Sequence, residues 1–73
     1  MREVGTVLNF NVARGFGFIK PDANGKDIFV HVSNLRDLYE LEPGDRVRYT
    51  VAPTDKGPKA TEVEKIRTNV GKS

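Results

Sequence analysis

The residues of this sequence best able to do chemistry are rings: Phe16 and Phe18 in one short run, Phe29 and His31 in another. Successive side chains of an extended strand point to opposite faces. Phe16 and Phe18 therefore share a face opposed to Ile19, and Phe29 and His31 share a face opposed to Ile28 and Val30. If the aliphatic residues form the core, every ring is turned outward. A contiguous exposed aromatic cluster marks a binding surface, because single apolar residues are common outside a protein but patches are not. The flat partner that suits it is an unpaired base, whose π-face stacks for about 1–3 kcal/mol per base whatever its identity. Bases held in a duplex cannot reach such a platform.

Charge supplies the second part of the chemistry. Arg14, Lys20, Lys56 and Lys59 border the rings and can pair with phosphates, adding a salt-dependent attraction that orients a strand held by stacking. The chain carries 12 Lys and Arg against 10 Asp and Glu, a net charge of +2, which permits a nucleic-acid partner without demanding one. Singly, each phenylalanine fits an ordinary core and each lysine an ordinary solvated surface; the combined pattern favours a site. His31 is the only histidine and cysteine is absent, so no Cys/His metal site and no nucleophile–base pair can be assembled around it, and it is assigned a stacking role. Asp22, Asp27, Asp37, Glu40, Glu42 and Asp45 fall in predicted loops or at strand ends, where such residues form turns and solvated rims rather than catalytic pairs. These residues describe a binding module, not an enzyme, with no metal, cofactor or small-molecule substrate.

A length of 73 residues allows one domain, whose core must suffice without disulfides. No apolar signal region opens the sequence, and no run approaches the roughly 18–20 apolar residues that span a bilayer, so a cytoplasmic protein without membrane contact is expected. Five strands are predicted, over about 3–11, 15–20, 27–32, 45–52 and 60–67, from short alternating runs broken by glycine, proline and Asn/Asp signals. The first three form an antiparallel meander with Asn24-Gly25 as its second turn. In the fourth, Val47, Tyr49 and Val51 share one face and Arg46, Arg48 and Thr50 the other. Gly15 and Gly17 let the wall bend and pack closely beneath the rings. Leu35, Leu38 and Leu41 support a helical turn capped by Ser33, ahead of a Pro43-Gly44 turn, and 54–59 reads as a loop. Residues 1–67 make up the domain and 68–73 a flexible tail. A sheet this small removes its exposed edges by closing, so the expected fold is an all-β, five-stranded antiparallel barrel of the OB type.

The segments Arg14-Gly15-Phe16-Gly17-Phe18-Ile19 and Ile28-Phe29-Val30-His31-Val32 closely resemble the two RNA-binding motifs of the cold-shock domain family. Gly5-x-Val7, Phe10-Asn11, Pro21-Asp22, Asp27, Ser33 and Lys56-Gly57-Pro58-x-Ala60 carry the likeness over nearly the whole chain. The resemblance implies an OB-fold barrel that binds single-stranded RNA or DNA as an RNA chaperone or a regulator of transcription or translation. It also implies that Phe10, Phe16, Phe18, Phe29 and His31 stack on bases, with Asn11, Lys20 and the Lys56–Lys59 loop along the nucleic-acid path. The RNA recognition motif also has an Arg-Gly-Phe-Gly-Phe segment, but there the equivalent of the second motif comes first and helices cross between the strands.

This sequence departs from the family where Leu8-Asn9 replaces a Lys-Trp pair and where Val32 replaces the aromatic that often follows the motif histidine. A stacking ring and a charge are missing, leaving Asn9 and Tyr39 as further candidate contacts. Two functions follow. The first is a monomeric general binder of single strands; the second is an OB-fold protein-interaction module whose nucleic-acid binding has weakened.

Overall fold

The computed structural model describes residues 2–23, 25–36 and 40–66. Its strands are β1 (Arg2–Asn11), β2 (Phe16–Pro21), β3 (Ile28–His31), β4 (Arg46–Thr54) and β5 (Gly57–Lys65), with a 3-10 turn over Val32–Asn34. They close into a barrel in the order β1-β2-β3-β5-β4. The period of two decides what fills it. Val7, Ile19, Ile28, Val30, Val47, Tyr49, Ala60 and Val63 point inward from all five strands, and Leu41 closes the cluster from the long β3–β4 connection. Phe10, Leu35 and Val51 pack against it half-buried.

Four of the five strand pairs are antiparallel, as expected, but β3 and β5 run parallel through Phe29↔Lys59 and Val30↔Ala60. The all-antiparallel expectation therefore fails at one seam. A ring with an odd number of strands cannot alternate direction all the way round, so closure forces one parallel contact.

The β1–β2 ladder slips by one residue between Val7 and Asn9. Such a bulge inverts the alternation beyond it: Asn9 pairs with Phe18 and Asn11 with Phe16, while Phe10 sits across from Gly17. Gly17 is required there, because a Cβ would run into Asn9 O and come within 2.9 Å of Phe10 Cδ1. Gly15, at φ +79, ends the turn into β2, with its N–H donating to Asn11 O at 2.7 Å and its carbonyl accepting from Val32 N at 2.7 Å.

Three local expectations change. The loop expected over 54–59 is mostly paired, since Thr54↔Gly57 and Pro53↔Pro58 belong to the β4–β5 ladder. Thr54 fastens the tight turn: its Oγ1 donates to Gly57 O at 2.6 Å and accepts from Lys56 N at 3.2 Å. The short helical turn is capped by His31, whose Nδ1 accepts from Ser33 N at 3.1 Å, and Ser33 lies inside it. Finally, β3 ends at His31 and β5 at Lys65. Leu38, Tyr39, Asn24 and the expected tail over 68–73 lie outside the described residues.

One core residue carries an unmet need. The Tyr49 ring is wholly buried and its hydroxyl has no hydrogen-bond partner, and burial pushes the phenol up to about 12.

Candidate functional site

The outer face of β2 and β3 holds the rings in register: Phe16 lies across from His31 and Phe18 across from Phe29. Cross-strand neighbours share a face at about 5 Å, so the four side chains form one patch. Phe29 is its centre. Its ring centroid is 5.9 Å from those of both Phe16 and Phe18, tilted 30° from the first and 73° from the second. Beneath them Ile19, Ile28 and Val30 are buried, which is why the rings cannot turn in. Phe18 is the most open of the three phenylalanines at 37 % exposure, while Phe16 and Phe29 are half-buried by one another and by the wall.

The Phe16–His31 end of the patch is finished by a polar group beside each strand. The Arg14 guanidinium lies 5.8 Å from the Phe16 centroid, a cation–π distance, and Arg14 N donates to Asn11 Oδ1 at 3.0 Å. Across the ladder at the same end, Ser33 N donates to His31 Nδ1, with Ser33 Oγ 2.9 Å from the same nitrogen. A backbone N–H can only donate, so Nδ1 is the acceptor and the neutral ring carries its proton on Nε2.

Along one flank, Phe18 and Phe29 form a groove of about 420 Å³ with Thr54, Lys56, Gly57, Pro58 and Lys59. The parallel β3–β5 contact creates it by bringing Lys59 beside Phe29. On the other flank Asn9 and Asn11 stand beside Phe18 and Phe16. Lys20 follows Phe16 and Phe18 at the same two-residue spacing and is exposed.

Of the residues expected at the site, the structure thus brings together Phe16, Phe18, Phe29, His31, Asn11, Arg14, Lys56 and Lys59, with Asn9 and Lys20 at the margin. Phe10 is not brought into the outer cluster, because the bulge turns it to the face of Gly17 and it packs half-buried against the core. Tyr39 lies outside the described residues. Thr54 was missed, because its place on the groove depends on the tight turn that returns β4 to β5 beside β3.

Charge is distributed unevenly. Among the described residues Arg14, Lys20, Lys56 and Lys59 make no ion pair, whereas Arg2, Arg36 and Arg48 converge on Glu64, Lys65 meets Asp45 and Arg46 holds Asp22. The Arg46–Asp22 contact is bidentate, at 2.7 and 2.6 Å; its hydrogen bonds pull the Asp22 carboxyl below the usual range and push Arg46 up. Glu64 is lowered in the same way, chiefly by the hydrogen bond from Arg2. The cations beside the rings thus differ from these in having no acidic partner among the described residues.

Comparison with known proteins agrees with this geometry. The 'Cold-shock' DNA-binding domain family model matches residues 3–66. The cold shock-like protein CspA of Bordetella pertussis is 42 % identical over 64 residues, covering 85 % of this chain and 96 % of that one. The major cold shock protein of Micrococcus luteus is 42 % identical over 65 residues, 86 % and 97 % of the two chains. A solved structure, drosophila Unr CSD456, superposes with a TM-score of 0.78 at 23 % identity. It covers 99 % of this chain, which spans 29 % of its length, and it shares the fold.

Proposed function

This chain belongs to the family of cold-shock DNA-binding domains, a nucleic-acid-binding family, and we propose that it binds single-stranded RNA or DNA by stacking unpaired bases on Phe16, Phe18, Phe29 and His31. The observation that carries this reading is the triple of phenylalanine rings at 5.9 Å spacing on an outward face, beside cations that pair with nothing else described. Stacking on three rings is worth about 3–9 kcal/mol before the ordering of the strand is subtracted. Phosphates on Lys56, Lys59, Lys20 and Arg14 add a salt-dependent share.

A binder of this kind melts structure without catalysing anything. It captures the open form of a weak hairpin, and mass action shifts the population toward that form. RNA chaperoning, or control of transcription or translation through a melted element, follows from that shift. The protein acts as a cytoplasmic monomer without cofactor, and it is not an enzyme.

The test is a titration of the whole chain with pyrimidine-rich single strands and with the matching duplex, at low and moderate salt. Saturable binding to the single strand that weakens with salt, with little to the duplex, is expected; no saturable binding at low salt overturns the reading. A second reading, a protein-interaction module, draws support from Asn9 in the place beside Phe18 and from Leu8, 39 % exposed at the bulge. It predicts that negative result.

A further inference from the structure

The platform ends at His31, but the polar surface does not. A hollow of about 370 Å³ opens between the 3-10 turn and β5, lined by Ser33, Asn34, Leu35, Arg36 and Glu62. Its near rim is Ser33, the residue bonded to His31. Its far rim is Arg36, whose Nη1 is 3.4 Å from Glu64 Oε2. The same carboxylate holds Arg2 Nη2 at 2.8 Å and Arg48 Nη2 at 3.4 Å.

Three guanidiniums converge on the single Glu64 carboxylate, and one of them, Arg36, lines the hollow together with Glu62. The donors are far from spent. A guanidinium has five N–H groups, and Arg36 and Arg48 each place only one nitrogen near Glu64, with side chains still 54 % and 49 % exposed. Arg2 uses one nitrogen for both Glu64 and Glu62 O, the latter at 3.1 Å. Glu64 therefore aims the arginines while leaving most of their forks open, and a planar fork with open donors suits phosphate oxygens as well as it suits a carboxylate.

We propose that this hollow, with Arg36 on its rim and the Arg2 and Arg48 forks gathered beside it on Glu64, is a second phosphate-binding station, taking the sugar-phosphate backbone of the same single strand after it leaves the platform past His31. The inference rests on the single-strand reading above. It assigns the strand a longer path than the rings alone define, crossing from Phe16 to His31 and on past Ser33 to Arg36.

Whole protein is titrated with oligothymidylates of about six nucleotides, enough for the platform, and about twelve, enough to continue over the hollow, across a series of salt concentrations. Extra alignments of the longer strand raise its affinity but not its salt slope, whereas each further phosphate neutralised steepens the slope by about 0.7. The longer strand is expected to show a slope steeper by about 0.7–1.4. Arg36→Ala should remove about 0.7 of it and leave the short strand's affinity unchanged. Arg48→Ala should do the same; since Arg48 lies on β4, thermal midpoints are compared, and Arg36→Ala decides if Arg48→Ala unfolds. Equal slopes for the two strands, or a slope untouched by Arg36→Ala, overturn the second station with the platform left standing. Failure of the short strand to bind overturns the platform instead.

Discussion

The β2–β3 wall and the β1–β4–β5 wall are built on the same rule, apolar inward and polar outward, yet they treat charge in opposite ways. On the second wall Arg2, Arg48 and Glu64 answer one another across neighbouring strands. On the first, Arg14 and Lys20 stand beside rings with no acidic partner described, and Lys56 and Lys59 reach in from the β4–β5 turn. A net charge of +2 hides this division, because acidic side chains hold and aim the cations of the second wall while none described meets those of the first. Exposed ion pairs contribute little stability individually; here their larger consequence is to make the two walls electrostatically unlike.

The largest test of that contrast removes a ring. Phe29→Ala takes away the neighbour of both other phenylalanines and should weaken single-strand binding by about 1–3 kcal/mol, roughly 5- to 150-fold, with Phe18→Ala close behind. Arg48→Ala on the second wall should leave the affinity for short strands where it was. Titration of the three variants side by side decides it; a collapse of the thermal midpoint in Phe18→Ala would show that this ring serves the core instead.

A gain on the first wall comes next. Asn9 stands across from Phe18, so Asn9→Trp should add about one stacked base, about 1–3 kcal/mol of affinity. Unchanged binding would show that the platform stops at β2.

Beneath the second wall, Tyr49→Phe removes a buried hydroxyl without a partner and should raise stability by about 1 kcal/mol while leaving binding alone, as denaturant melts can show. Because the folded-state phenol is raised from 10.0 to about 12, the unfolded chain ionises first. Stability is therefore lost as pH climbs through that window, and the variant should lack the loss.

The smallest effect concerns acid. Glu64 is lowered from 4.5 by its arginines, so its contribution is present above that value and fades as pH falls through the folded-state value. Thermal midpoints between about pH 6 and about pH 3 should fall less steeply for Glu64→Gln than for the parent. Parallel curves would mean the second wall's ion pairs are energetically idle.

The inward set on β2, β3 and β4 was legible in the residues, since Ile19, Ile28, Val30, Val47 and Tyr49 alternate with polar or aromatic neighbours and all are buried. Phe10 was not. Its place depends on the one-residue slip between Val7 and Asn9, and nothing in Leu8-Asn9 marks a bulge. The β4–β5 turn was misread because Thr, Asp, Lys, Gly and Pro signal a turn without saying how short it is; the Thr54 hydroxyl makes it tight. Ser33 looked like a cap, but the imidazole before it took that role.

By itself the sequence determined the faces of the strands: a period of two is a local property, and Phe16, Phe18, Phe29 and His31 had to share a side once Ile19, Ile28 and Val30 went in. Only the tertiary structure decided which strands meet. Closing five strands forced β3 against β5, and that non-local contact alone puts Lys59 and Pro58 beside Phe18 and Phe29 to turn a flat patch into a groove.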